Sequence, residues 1–354
     1  MHGAETAMLK GTYDRSQESG AKNQESGTKS QQSEEVIIIT CALRNGRKKL
    51  FRRGQKDYQR MTDHIGLLPL VIVSPADHQL IEEGSDERRR FLDSVISQYD
   101  RVYLEHITVY QQLLKQRNAL LKQCADRQPS DSETAVFGVL EEQMTDHASY
   151  IHQQRQQFIE LFIPHFRQLY KQISGDKEQV SLRYISQLDS RNMLEALQQT
   201  RNRDLLLGWT SQGIHKDELE MTLGDYPLRQ VGSQGQQKTY LLALKLAQAI
   251  FLSGHLSPDP SPEGRGEQQT AVSCQQSAVR DQESGIRKPI LLLDDIFDKL
   301  DSERVERIIS LVGSDLFGQI LITDTDRQHI SELLRHCSAS GKVFEVTDGK
   351  AKEI

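Results

Sequence analysis

The chain has 354 residues, of which 27% are charged and 36% hydrophobic, and its formal net charge at pH 7 is −6. No run approaches the roughly 18 apolar residues of a membrane span, and the first residues lack the apolar region of a signal peptide. The length allows two domains. The four cysteines are scattered without metal-ligand spacing, which predicts free thiols in a reducing cytoplasm. Because the net charge is negative, any nucleic-acid surface would be a local basic patch.

Residues 1–35 are rich in Ser, Gln, Glu, Gly and Lys, and the tetrapeptide QESG at 17–20 recurs at 24–27 and again at 282–285. Such a composition buries little apolar surface, so this stretch is predicted to be disordered. Residues 20–30 superficially resemble a phosphate-binding loop. However, Gly27 is followed by Thr28 rather than Lys, and no G-x-x-x-x-G-K-[ST] segment occurs in the sequence.

Order is predicted to begin at Val36, with a strand at 36–39, a turn at Asn45-Gly46 and a returning strand at 49–52. A second apolar strand is predicted at 67–73, so that residues 36–84 form the first part of an α/β head. Eight basic residues lie between positions 44 and 60. They make a candidate DNA phosphate-backbone surface, and the alternative is the solvated face of a hairpin. The DNA-binding candidates are Arg47, Lys48, Lys49, Arg52 and Arg53.

Residues 85–175 are predicted to form a helical arm. Apolar residues recur every three or four positions from Leu92 to Leu114, which predicts one long amphipathic helix over 85–123. A polar turn at 127–133 precedes a second helix over 135–172, where Pro164 predicts a kink or break. The charged outer faces of the two antiparallel helices are interpreted as solvated, with contact to DNA or a partner as the alternative.

The C-terminal part, residues 176–354, returns to strands. A half-buried strand is predicted at 180–184, a short helix at 192–203, and a turn containing His215, which is interpreted as a hydrogen-bonded structural residue. Residues 232–239 then form a loop of small residues that opens a strong helix. Unpaired backbone N–H groups and the helix dipole make such a loop an anion site. Residues 254–288 are predicted to be a disordered insertion.

The most informative stretch is 289–301, in which four apolar residues precede Asp294 and Asp295. The apolar run predicts a strand buried on both faces, and its carboxyl end is where open α/β sheets bind ligands. The pattern resembles a Walker B strand. In that interpretation Asp294 serves Mg²⁺ and Asp295 orients the attacking water. The alternative is an ordinary strand followed by Asp as a turn former or helix cap. The predicted strand at 319–323 follows, with His329 beyond it, and a last strand is predicted at 343–346.

Five segments together resemble the RecF family, the SMC-like ABC ATPases of bacterial recombination repair. The amino-acid sequences of these segments resemble those of the Bacteroidetes branch. The segments are 74–93, 213–218, 232–248, 291–301 and 319–326. The resemblance implies an α/β, ABC/SMC-like P-loop ATPase head with an inserted α-helical arm. It also implies that ATP and Mg²⁺ are cofactors and that the protein forms an ATP-dependent homodimer. The implied DNA substrates are single-stranded DNA and junctions of single- and double-stranded DNA. The implied partners in repair and the SOS response are RecO, RecR and RecA.

By position, the resemblance assigns roles to six residues: Asp294 to the metal, Asp295 to the hydrolytic water, Ser233, Gly235 and Gln236 to a signature loop that acts across the dimer, and Asp301 to the D-loop contact. The family begins with a strand, a P-loop and a helix that this sequence does not show. We therefore expect an N-terminally truncated form with poor ATP affinity. The alternatives are a nucleotide-free DNA- or partner-binding module and a non-functional fragment. The retained Asp294 and Asp295 argue against a pure binding module.

Overall fold

A computed structural model describes residues 6–14, 36–44, 49–125, 127–255, 288–314, 316–326, 330, 335 and 341–354. The strands are β1 Thr6–Asp14, β2 Val36–Arg44, β3 Leu50–Arg53, β4 Lys56–Asp57, β5 Leu70–Val73, β6 Val180–Ile185, β7 Glu218–Leu223, β8 Tyr226–Pro227, β9 Ile290–Asp294, β10 Ile320–Thr323, β11 Phe344–Thr347 and β12 Lys350–Glu353. The helices are α1 Gln79–Glu82, α2 Ser85–Tyr99, α3 Arg101–Gln123, α4 Asp131–Ser174, α5 Met193–Leu207, α6 Leu228–Val231, α7 Gln234–His255 and α8 Ser302–Val312. Arg47, Lys48, His329 and the predicted insertion after His255, up to residue 287, lie outside the described residues.

The first of two compact units contains residues 1–68 and 256–287. Its described part is an antiparallel sheet in the order β1-β2-β3-β4. Ile37 and Ile39 of β2 point to one face and pack with Leu67, as expected for alternating side chains on a sheet with one buried face. The predicted strands at 36–39 and 49–52 are therefore present.

Strand β1 differs from the prediction that residues 1–35 are disordered. Thr6–Asp14 pairs with the whole length of β2, while Met8 is 71% exposed and Leu9 62% exposed. Backbone pairing and the packing of Tyr13 on the small core order this strand, and neither depends on an apolar run that a composition argument could detect. The other residues of the 1–35 stretch lie outside the described part.

The second unit contains residues 69–255 and 288–354. Its parallel sheet has the order β10-β9-β5, with Leu292 opposite Ile72 on one side and Leu321 on the other. Leu291 and Leu293 of the central strand are buried, and α7 packs against β5. This sheet confirms the apolar strand predicted before Asp294. The predicted burial of both faces is not found, because Ile290 and Leu292 are only half-buried and the neighbouring Ile72 and Leu321 are exposed.

A second sheet, β6-β7-β8, is antiparallel, and a separate hairpin pairs β11 with β12. Helix α4 packs on both β6 and α7. Tyr240 of α7 is fully buried, and its hydroxyl donates to the Ser181 carbonyl of β6 over 2.6 Å. The long helix and the antiparallel sheet are thus tied to the helix that opens after the small-residue loop.

The predicted arm helices are present with different ends. The expected single helix over 85–123 is two helices, because Asp100 has an extended backbone and its carboxylate accepts the Tyr103 N–H as an N-cap. The expected break at Pro164 does not occur, and α4 runs through it. Phe162 and Phe166, on either side of the proline, are fully buried, so packing holds the helix where one backbone hydrogen bond is missing.

Two buried arginines fix the arm helices. Arg117 of α3 is fully buried and pairs with Glu141 of α4 at 3.0 Å and Asp204 of α5 at 2.8 Å. Arg155 of α4 pairs with Asp93 of α2 at 2.8 Å and with Asp217, just before β7, at 2.9 Å. Buried charges persist only when they are paired in this way, so the networks specify one arrangement of α2, α3, α4 and α5.

Candidate nucleotide site

The carboxylate pair, Asp294 and Asp295, lies at the carboxyl end of the parallel sheet. Asp294 is the last residue of β9 and is exposed, and the Thr323 hydroxyl of β10 donates a hydrogen bond to its carboxylate. Asp295 is half-buried and has a φ of +52°. Its N–H donates to the Thr323 carbonyl over 3.1 Å. A positive φ in a residue other than glycine is uncommon and concentrates at functional sites.

The pair borders a cavity of about 90 Å³, whose wall combines the loop after β5, the start of α7 and the turn after β9. Asp77 belongs to a short helical turn in the loop after β5, and its carboxylate caps this turn by accepting the Ser74 N–H over 2.7 Å. The same side chain pairs with Lys245 of α7 at 2.7 Å. These bonds hold the loop against α7. The cavity therefore has fixed walls, with two carboxylates on one side.

Lys238 is a cavity residue that the sequence analysis did not select. Its ammonium donates to the Asp295 carbonyl over 2.9 Å. Burial lowers the pKa of Lys238, and the nearby carboxylates of Asp298 and Asp295 oppose this effect. It lies four residues after Gln234, the first residue of α7, and so one helical turn inside the helix, but nothing in the local sequence marks its contact with Asp295, 57 positions away.

The small-residue loop predicted over 232–239 is mostly helical, since α7 begins at Gln234, and residues 232–236 form a reciprocal cap at the start of that helix. The Gln236 N–H donates to the Ser233 hydroxyl over 3.2 Å, and the Ser233 N–H donates to the Gln236 side-chain oxygen over 2.8 Å. A Cβ added to Gly235 would lie 3.3 Å from the Lys299 carbonyl, so the glycine allows the loop to approach the turn after β9. Ser233 keeps its hydroxyl hydrogen available for donation, because its oxygen is the acceptor here.

Asp301 lies next to this loop and is connected to it by Arg304, which the sequence analysis also did not select. Asp301 caps α8 by accepting the Arg304 N–H over 2.9 Å, and the two side chains pair at 3.1 Å. The Arg304 guanidinium also donates to the Gly235 carbonyl over 3.2 Å and to the Thr239 hydroxyl over 2.8 Å. The turn after β9 and the start of α7 are thus joined by one side chain.

Glu178, two residues before β6, adds to the contact between the start of α7 and α8. It accepts hydrogen bonds from Arg304 at 2.8 Å, from the Gln236 amide at 3.0 Å and from the Tyr170 hydroxyl of α4. Burial raises the pKa of Glu178, but these donors outweigh it and the pKa is lowered overall. The Gln236 side chain is therefore occupied within its own chain, at both its oxygen and its nitrogen.

The residues at the sheet edge fit a hydrated Mg²⁺, since this ion prefers carboxylate and water oxygens and retains several waters. Asp294 and Asp295 supply two such carboxylates at the wall of the cavity. No group of three or more His, Cys, Asp and Glu side chains is placed to hold a metal ion in the part of the chain that the structure describes. The structure thus brings Asp294 and Asp295 together at one cavity, and it brings Ser233, Gly235, Gln236 and Asp301 together beside it.

The basic candidates lie in the first unit. Lys49 is exposed just before β3. Arg52 and Arg53 are residues of β3, and the Arg52 side chain, 53% exposed, pairs with Asp57 of β4. None of the described helices is long and apolar enough to cross a membrane.

The fold is of the ABC-type ATPase-head class, with helices α2 to α4 inserted between the strands β5 and β6. The chain resembles the solved structure "recombination mediator protein RecF-ATPrS in RecFOR pathway" with a TM-score of 0.68 and 20% identity, over 91% of this chain and 77% of that one. The structure titled RecF-ATP gives the same TM-score at 21% identity. No family model matches the chain.

Relatives with closer sequences identify the family. The chain is 48% identical to the DNA replication and repair protein RecF of Bacteroides thetaiotaomicron over 316 residues, which are 89% of this chain and 76% of the relative. It is 43% identical to the RecF of Phocaeicola vulgatus over 352 residues, covering 99% and 82%. The chain belongs to the RecF family of DNA replication, repair and recombination proteins.

Proposed function

We propose that this chain is a Mg²⁺-ATP-regulated DNA-binding protein that acts at single-stranded DNA and at junctions of single- and double-stranded DNA, in the cytoplasm. The observation that carries the nucleotide part is the carboxylate pair at the carboxyl end of β9, beside the cavity lined by α7. Support also comes from the solved relatives, whose titles name ATP and ATPrS. Partners of the RecO and RecR type, and loading of RecA, belong to the same proposal.

In this proposal the carboxylate pair has two roles. Asp294 would hold Mg²⁺, and the Thr323 hydroxyl fixes the orientation of its carboxylate. Asp295 would accept a hydrogen bond from the attacking water and orient it. Mg²⁺-ATP would supply the transferable phosphoryl group, and the Lys238 ammonium, at the wall of the cavity, would stabilise negative charge there.

The small-residue loop would act on a nucleotide held by a second copy of the chain. The Ser233 hydroxyl hydrogen and the N-terminal dipole of α7 are suited to an incoming phosphate. Gln236 would have a supporting role, because its amide binds Ser233 and Glu178 of its own chain. Asp301 would hold the turn after β9 in position through Arg304.

The test is equilibrium binding of a fluorescent ATP analogue with Mg²⁺ to the full chain, beside Asp294→Ala and the control Glu306→Ala. Glu306 is an exposed carboxylate of α8 that does not line the cavity. Because the sequence shows no P-loop, we expect weak binding by the unmodified chain. Asp294→Ala should weaken it further by at least about tenfold, since it removes a metal ligand, and Glu306→Ala should change it less than about threefold. If the unmodified chain does not bind the nucleotide, or if both variants bind equally, the nucleotide part of the proposal is wrong.

The DNA part is tested separately, by titrating a labelled junction of single- and double-stranded DNA without nucleotide and with Mg²⁺-ATP. We expect the nucleotide to tighten DNA binding. Equal affinity in both conditions would leave DNA binding but contradict its regulation. No binding in either condition would contradict the DNA part altogether.

A further inference from the structure

Two histidines face each other across the arm, away from the nucleotide site. His106 belongs to α3 and His147 to α4, and their Nδ1 atoms are 3.1 Å apart. The ring centroids are 4.9 Å apart and the planes meet at 72°. Both side chains are half-buried, so the pair is anchored in the helix packing and still reached by solvent.

The distance between the two nitrogens is close to that of two imidazoles on one metal ion. Zinc–nitrogen bonds of about 2.0–2.1 Å at a tetrahedral angle place the two nitrogens about 3.3 Å apart. Without a metal, one Nδ1–H donates to the other Nδ1. A shift of that proton to Nε2 of the same ring leaves both Nδ1 lone pairs free, with no proton lost from the protein.

The surroundings favour a cation and hold the rings in place. Tyr150 stacks on His106 with centroids 4.4 Å apart and planes at 24°, and its hydroxyl donates to Asp100 over 3.1 Å. Burial and the nearby His147 lower the pKa of His106, while the charges of Asp100 and Glu105 oppose this. A neutral imidazole is the form that binds a metal, and the two carboxylates add negative potential beside it.

We propose that His106 and His147 form a binding site for a divalent transition-metal ion of the imidazole-binding class, such as Zn²⁺, Ni²⁺ or Cu²⁺, which links α3 to α4. Water completes the coordination, because no third His, Cys, Asp or Glu joins the pair among the described residues. Ni²⁺ and Cu²⁺ are expected to bind there more tightly than Co²⁺. A hard ion such as Mg²⁺ does not bind there.

The experiment is calorimetric titration of untagged full-length protein with Ni²⁺ alone and with Zn²⁺ alone at pH 7.5. The variants are His106→Gln and His147→Gln, and the matched control is His165→Gln, another half-buried histidine of α4. We expect each pair variant to lose one equivalent of metal or to bind it at least tenfold more weakly, and the control to behave as the unmodified protein. Binding that survives in either pair variant, or no binding by the unmodified protein, overturns the proposal.

Thermal unfolding gives a second readout that does not depend on nucleotide or DNA. A ligand that binds only the folded state raises Tm, here by a few degrees at about 100-fold excess over Kd. The rise should disappear with a chelator, and it should be absent in His106→Gln and His147→Gln. An equal rise in those variants would show that the ion binds elsewhere and would contradict the site.

Discussion

Burial holds His215 in its neutral form, and both of its ring nitrogens have hydrogen-bond partners. Its Nε2 donates to the Thr210 carbonyl over 3.0 Å, so its Nδ1 accepts from the Tyr110 hydroxyl of α3 over 2.8 Å. Burial lowers the pKa of His215 to about 4. The unfolded chain takes up this proton near pH 6.5, well before the folded chain does.

The first prediction follows from that difference in pKa. The stabilisation due to neutral His215 is complete above pH 6.5 and is lost as the pH falls towards 4, by up to about 3 kcal/mol. Urea unfolding between pH 7 and 4 should show this loss, and His215→Gln should flatten the pH dependence. The control is His152→Gln, whose side chain pairs with Asp189. Equal slopes for His215→Gln and the unmodified protein would contradict the assignment.

At the scale of elements, the contact between α7 and α8 depends on Arg304. The second prediction is that Arg304→Gln loosens the start of α7, because the bonds to Gly235 and Thr239 are lost and the half-buried charge of Glu178 keeps fewer donors. Unfolding free energy should fall by about 1–3 kcal/mol. Hydrogen exchange should be faster for the amides of residues 233–240.

The control for Arg304 is Arg307→Gln, one helical turn further along α8. The Arg307 side chain is more exposed, at 36% against 13%, and pairs with Glu303 at 3.3 Å. Exposed pairs contribute little, so Arg307→Gln should leave exchange at residues 233–240 unchanged. Similar exchange in the two variants would show that Arg304 does not fix the small-residue loop.

The third prediction concerns Gly138 in the interior of α4. A Cβ at this position would meet nothing within 4 Å, so alanine fits the helix and lowers the entropy of the unfolded chain. Gly138→Ala should raise the unfolding free energy by about 0.5–1 kcal/mol, seen as a higher urea midpoint with an unchanged m value. Gly213→Ala is the contrasting variant. Gly213 has a φ of +124°, and an added Cβ would lie 2.7 Å from the Tyr110 hydroxyl. This substitution should therefore lower the free energy of unfolding.

The periodicity of apolar residues predicted the helices and strands well. The ends of these elements and the connections between them depended on local hydrogen bonds. The strand before Asp294 and the helix after the small-residue loop were predicted because apolar patterning over many residues reports burial. The division at Asp100 was missed, although Asp is a good N-cap, because the apolar pattern continues across it. Lys238 and Arg304 were missed because their roles depend on partners 57 to 126 positions away. No local pattern encodes such contacts.

For the whole molecule, the negative net charge of −6 makes the position of basic residues decisive for DNA binding. Long-range repulsion opposes approach to DNA, so contact requires a local surface that releases counterions from phosphates. We propose that strand β3 and the residue before it form such a surface in the first unit. Arg47 and Lys48, also predicted for it, lie outside the described residues.

The fourth prediction tests that surface with two double variants that change the net charge equally. The double variant Lys49→Gln, Arg53→Gln removes two positive charges from it, and the control Lys350→Gln, Lys352→Gln removes two from exposed positions on β12. We expect the first variant to weaken junction DNA binding and to reduce the slope of log K against log salt by about one per lost phosphate contact.

The control should keep the slope of the unmodified protein, because the change in net charge alters the long-range repulsion without removing a phosphate contact. Fluorescence anisotropy at several salt concentrations between about 50 and 200 mM separates the two effects. If both double variants lower the slope equally, the basic residues act only through net charge. The DNA-contacting surface of the chain would then have to be sought on another element.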